Sequence, residues 1–111
     1  MLIATRTLKI RQSAEDIDVP VRVFAPENEE TRGWGCRFEI AWPDRTAEMT
    51  ARGGDAVQAL EIALKLIGAQ LYASAYHQDG SLVFRMPGAG NGFPVPANMR
   101  DLLVGDDAKV M

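Results

Sequence analysis

Residues 53–77, GGDAVQALEIALKLIGAQLYASAYH, read as one long helix with apolar residues on two faces. Asp55 suits the N-cap, and Gln58 three positions later completes a capping-box pattern. Glu61 and Lys65 form a favourable i,i+4 pair on the wet side. At helical spacing, Val57, Leu60, Ala63, Leu64, Ile67 and Leu71 make the stripe predicted to lie on a sheet. Ile62, Leu66, Ala69, Tyr72, Ala73 and Tyr76 make a second apolar strip, roughly 120° wide, on another side of the same helix. That second strip needs a cover. The chain offers either the segment containing Phe93 and Val95 or a second copy of itself.

The region before the helix supplies the sheet. Residues 2–12 read as a strand with Leu2, Ala4, Leu8 and Ile10 inward, and residues 18–25 as a second with Val19, Val21 and Val23 inward. Residues 26–33 form an acidic loop. Trp34, Cys36, Phe38, Ile40 and Trp42 alternate strictly with other residues, which is a strong half-buried strand signal. Residues 45–52 return after the Pro43-Asp44 turn with Ala47, Met49 and Ala51 inward. Short connections favour an antiparallel meander. The helix is predicted to end near Tyr76, before the Asp79-Gly80 turn, and a fifth strand follows with Leu82, Phe84 and Met86 inward. Residues 87–96, PGAGNGFPVP, are too rich in Gly and Pro for regular structure. Asn98 is placed to cap a short helix through Leu103, and residues 105–111 read as a frayed tail. The expected architecture is an α+β two-layer sandwich in the order β-β-β-β-α-β, with a short C-terminal helix, as one domain over residues 1–111.

At 111 residues, 47% hydrophobic and 24% charged, the chain is long enough for one core without cross-links. Cys36 is the only cysteine, which excludes an internal disulfide and fits a reducing cytoplasm. No signal peptide or membrane span is read in it. Nine arginines against three lysines, with abundant alanine, fit a GC-rich bacterial genome. The outward sheet positions carry Lys9, Arg11, Arg22, Arg37 and Arg52 against Glu39 and Glu48. That excess invites an anionic partner, yet Phe24 is the lone aromatic there for stacking bases, so nucleic acid is not expected.

The usual chemistries find little footing. The glycine run from Gly88 to Gly92 leads into Phe93-Pro94-Val95-Pro96 rather than a helix N-terminus, and no Gly-Lys-Ser follows, so it reads as a covering loop. His77 is the only histidine, and with Cys36 in an inward register no metal site is expected. No motif places a nucleophile beside it, so neither catalytic residues nor a cofactor are assigned.

The strand ending Ile40-Ala41-Trp42-Pro43, the helix opening Asp55-Ala56-Val57-Gln58-Ala59-Leu60 with Ile67-Gly68 and Leu71-Tyr72, and the Gly92-Phe93-Pro94-Val95-Pro96 segment resemble a family of small bacterial proteins known only as a domain of unknown function. The resemblance covers nearly the whole chain and implies no catalytic residues. A fainter similarity, carried by Gly54-Asp55 with Ala59-Leu60, is to the sheet-plus-helix partner of bacterial toxin–antitoxin pairs.

The expectation is a non-enzymatic cytoplasmic domain acting through protein association, as a homodimer or with a protein partner, with an immunity- or antitoxin-like role as one form of it. Its association surface would be Ile62, Leu66, Ala69, Tyr72 and Ala73. The alternative is a small-molecule binder or enzyme with a pocket lined by Trp42, Tyr76, His77, Asn91 and Phe93.

Overall fold

The computed structural model describes residues 1–110. Its elements are β1 (Leu2–Ile10), β2 (Ile17–Phe24), β3 (Glu27–Asn28), β4 (Trp34–Ala41), β5 (Thr46–Gly53), α1 (Ala56–Ala73), α2 (Ala75–Gln78), β6 (Leu82–Val83) and α3 (Gly105–Val110). All strand pairs are antiparallel. The sheet runs β6-β1-β2-β4-β5, with β3 on β4 beyond the end of β2. α1 covers the inner face over β4 and β5. This is the predicted α+β arrangement, with β3 as an addition inside the acidic loop.

The core follows the period-two pattern. Cys36, Phe38 and Ile40 of β4 are fully buried, Trp42 nearly so, and Leu8, Ile10, Val19, Val21 and Val23 join them from β1 and β2. Leu2 departs from the expectation. The register slips between Leu2 and Ala4, so Leu2 pairs with outward-facing Phe24 and is 47% exposed. One extra residue flips every side chain beyond it to the opposite face. Met49, on the outermost strand, also stays 44% exposed.

α1 opens on its predicted cap: Asp55 Oδ1 accepts from the Gln58 amide at 2.7 Å, and Gln58 Oε1 accepts from the Gly54 amide at 2.5 Å. The buried line along it is Ala59, Ala63, Ile67 and Leu71, joined by Gly68 and Tyr72. Val57 is 73% exposed rather than on the sheet. It lies in the first turn, on the flank shared with Leu64 and Gly68, where no other segment reaches it.

Gly68 decides what covers the Tyr72 margin of the second strip. A Cβ there would overlap the Pro94 carbonyl, because the Gly/Pro segment lies directly on the helix. Phe93 enters the main core, while Val95 packs with Tyr72 and Leu103 in a smaller cluster. A helical glycine costs about 1 kcal/mol relative to alanine, and burying Phe93 and Val95 contributes about 2 kcal/mol each. Packing therefore outweighs propensity at this position.

The remainder of the chain departs from the sequence reading in three places. Only Leu82–Val83 pairs as strand, because Arg85 adopts φ 66° and turns the chain, leaving Met86 exposed. Residues Ala97–Leu102 form a 3-10 turn with Pro96, not Asn98, at its N-cap. The frayed tail is corrected as far as Val110: Gly105–Val110 is helical and Asp107 is buried, which its hydrogen bonds explain below. Met111 lies outside the described residues.

Substituting Gly68→Ala is expected to lower stability by about 3 kcal/mol, the range for forcing atoms into a packed interior. Urea unfolding of the variant checks this; a neutral or stabilising change would mean the loop does not sit on the helix.

Candidate functional site

The helix breaks at Ser74, which has extended backbone angles and serves both ends of the break. Its Oγ donates to the Leu71 carbonyl at 2.7 Å and accepts from the His77 amide at 3.1 Å. The resulting turn of α2 sends two rings in different directions. Tyr76 stacks on Trp42, with centroids 5.4 Å apart, on the side of the β4–β5 turn. His77 meets Tyr72 edge-on at 4.6 Å, and its Nδ1 lies 3.4 Å from the buried Asn91 amide nitrogen. With that amide donating, the neutral imidazole carries its proton on Nε2.

The five expected pocket residues are therefore split. Trp42 and Tyr76 line a cavity of about 440 Å³ with Asp44, Arg45 and Gln70. His77 and Asn91 line a separate one of about 120 Å³. Phe93 lines a third, of about 460 Å³, between α1 and the β1–β2 end of the sheet.

Asp107 organises the polar cluster behind His77. Its Oδ2 accepts from the Tyr72 hydroxyl at 2.6 Å, from the Asn91 amide at 2.9 Å and from the Gly92 amide at 3.0 Å; Oδ1 lies 3.1 Å from the same Gly92 nitrogen. Burial, and then the bond to Asp107, push the Tyr72 phenol up to about 12. Burial lowers the His77 imidazole from its ordinary value, with Asp107 pulling the other way. The carboxylate is occupied by loop amides and a phenol, so this arrangement fastens α3 and the Gly/Pro loop onto α1. Cys36 is enclosed likewise: its Sγ lies 3.3 Å from the Phe24 carbonyl, and burial raises the thiol. Among the described residues, no group of three His, Cys, Asp or Glu side chains is placed to hold a metal ion, and no helix is long and apolar enough to cross a membrane.

The expected association surface is divided as well. Tyr72 is buried under Val95 and Leu103. Ile62, Leu66 and Ala69 are half-buried and Ala73 is exposed. By helical angle these four lie roughly opposite Leu64 and Gly68, away from the flank that borders Phe93 and Pro94 and toward the β5 side, with Tyr72 between the two flanks.

Two features escaped the sequence reading. One is the open edge of β5, a strand that was expected but that, among the described residues, pairs with β4 alone. The other is Arg6, in the inward register between Ala4 and Leu8. Its guanidinium lies 4.4 Å from the Phe84 ring centroid and 5.1 Å from that of Phe93, and it donates to the Gly92 carbonyl. A charge in an otherwise apolar period-two register was the available signal. The outer face, by contrast, is largely self-neutralised. Arg37 lies between Glu39 (2.6 Å) and Glu48 (3.6 Å), Arg22 is 3.7 Å from Glu39, Lys9 is 2.6 Å from Asp18, and Arg52 pairs with Glu29. Arg37 also covers Phe24, 3.7 Å from its centroid.

Residues 4–95 match the family described as Domain of unknown function (DUF6968), and the chain belongs to that family. No curated protein and no solved structure matches it.

Two pH effects follow from the cluster. The folded state takes up the His77 proton at lower pH than the unfolded chain, so stability falls as pH drops below about 6.5. His77→Gln should remove that part of the slope in denaturant titrations across the window. The folded state also holds the Tyr72 proton longer, so stability falls as pH rises from 10 toward about 12, and Tyr72→Phe abolishes this. Asp107→Ala leaves the phenol and two amides unpaired and should lower stability by about 3 kcal/mol; a loss within error of zero would mean the tail is not fastened.

Proposed function

We propose that this family member is a non-catalytic domain that works by protein association, and that its first partner is a second copy of itself added along β5. The observation carrying this reading is the free edge of β5: eight residues, Thr46–Gly53, without proline or register slip, paired on one side only. Such an edge is a template for another strand unless it is blunted. The opposite edge of the sheet is treated differently. β6 pairs with Lys9 and Ile10 of β1, and the register slip near Leu2 disturbs its other end.

The sequence of β5 favours self-pairing. In an antiparallel two-fold pair centred on Thr50, Glu48 faces Arg52 of the second copy, twice by symmetry, and Thr50 faces its own equivalent. Opposite charges four residues apart on one face make the strand self-complementary. They select register more than they supply affinity, because exposed ion pairs contribute at most about 1 kcal/mol. Apolar contact comes from the same side of the molecule. Ile62, Leu66, Ala69 and Ala73 flank the β5 side of α1, and a two-fold axis through the β5 edge sets that flank beside its equivalent. The surplus apolar strip of the helix and the unpaired strand then share one interface.

Sedimentation equilibrium tests this. The expected mass rises from 12.1 kDa toward twice that value with concentration. Glu48→Arg and Arg52→Glu each place like charges opposite one another and should weaken the dimer about tenfold or more. The double swap restores the opposition and should restore the dimer. A strictly monomeric protein at high micromolar concentration, or a double swap that behaves like the single variants, overturns the reading.

A further inference from the structure

Apart from Thr5, Arg6 and Gly92, the 460 Å³ groove on the other flank of α1 is apolar, lined by Ala4, Val21, Val23, Leu64, Phe93 and Pro94. Its volume falls within the range of small-molecule sites. Arg6 is its one ionisable lining residue. Lys9, Arg22, Arg37 and Arg52 of the strands are matched with carboxylates, but among the described residues no ion pair includes Arg6. The guanidinium is instead held in place by Phe84, Phe93 and the Gly92 carbonyl. One N–H is used by that carbonyl, and a guanidinium has five.

The acidic side chains on the far side of Arg6 form no ion pair with it. Asp106 and Asp107 border a separate cavity of about 180 Å³ that also touches Arg6. Asp107 is committed to Tyr72, Asn91 and Gly92, and Asp106 is exposed.

We propose that this groove binds a small amphipathic monoanion, with an apolar chain or ring against Val21, Val23, Leu64 and Phe93 and a carboxylate on Arg6. A planar guanidinium fixed against aromatic rings presents N–H groups in the geometry a carboxylate accepts, and loses little freedom on binding. The surrounding apolar wall removes water and strengthens that contact. The site is independent of β5 association, because the loop-side flank of α1 faces away from the β5 edge.

Calorimetric titration with sodium octanoate and with 1-octanol tests the pairing of charge and chain. Octanoate should bind with one-to-one stoichiometry and about tenfold more tightly than octanol. Arg6→Met should bring the two within about twofold, Arg6→Lys should retain part of the preference, and Ala4→Trp, at an exposed rim position, should abolish both. Circular dichroism establishes that each variant is folded; if Arg6→Met is not, the octanoate preference of the unaltered protein and its loss in Ala4→Trp decide. The proposal fails if octanoate gives no saturable binding, if the two ligands bind alike, or if folded Arg6→Met keeps the preference. It fails equally if Ala4→Trp lowers the sedimenting mass, since a second copy would then occupy the groove.

Discussion

The contact on which the other features depend is that of the Gly/Pro segment with α1 at Gly68. Because that position lacks a side chain, the Pro94 carbonyl reaches the helix surface, and Phe93 and Val95 descend on either side of it. Asp107 then holds the segment from above through the Asn91 and Gly92 amides, while accepting from Tyr72 below. An apolar helix with two sticky flanks becomes one with a closed flank and an open one. The closed flank creates the Arg6 groove at its margin. The open flank lies toward β5, which among the described residues pairs with β4 alone.

Much of this fold could be read from residue pattern alone. The alternation from Trp34 to Trp42 identifies β4, and Asp55 caps the start of α1 as expected, while the Gln58 side chain reaches back one residue further, to the Gly54 amide instead of the N-cap amide. Those features are local: period two and a cap are complete within a few residues. Local pattern misleads where a distant contact decides the outcome. Leu2 points outward because of one inserted residue in a strand pair. Val57 is exposed because the covering loop begins its contact farther along the helix. The tail is ordered because one carboxylate finds three donors contributed by other elements, and no pattern within residues 105–110 announces that.

The candidate sites were less legible for the same reason. Trp42, Tyr76, His77, Asn91 and Phe93 converge in sequence expectation, yet Ser74 breaks the helix and turns neighbouring rings to opposite sides. Periodicity groups Tyr72 with Ile62 and Leu66, but Val95 and Leu103 bury it. Arg6 left a visible trace as the one charge in an inward register. The glycine at position 68 left another, since a mid-helix glycine needs a packing reason. The open edge of β5 is a property of strand order, which single-sequence periodicity does not encode.

Self-association along β5, with the loop-covered flank left out of it, is most directly tested by backbone hydrogen exchange at two protein concentrations. Protection rising with concentration at outward-pointing amides of Thr46–Gly53, while the amides of residues 91–95 stay unchanged, is the predicted result. Unchanged exchange in β5, or concentration-dependent protection confined to residues 91–95, would contradict it.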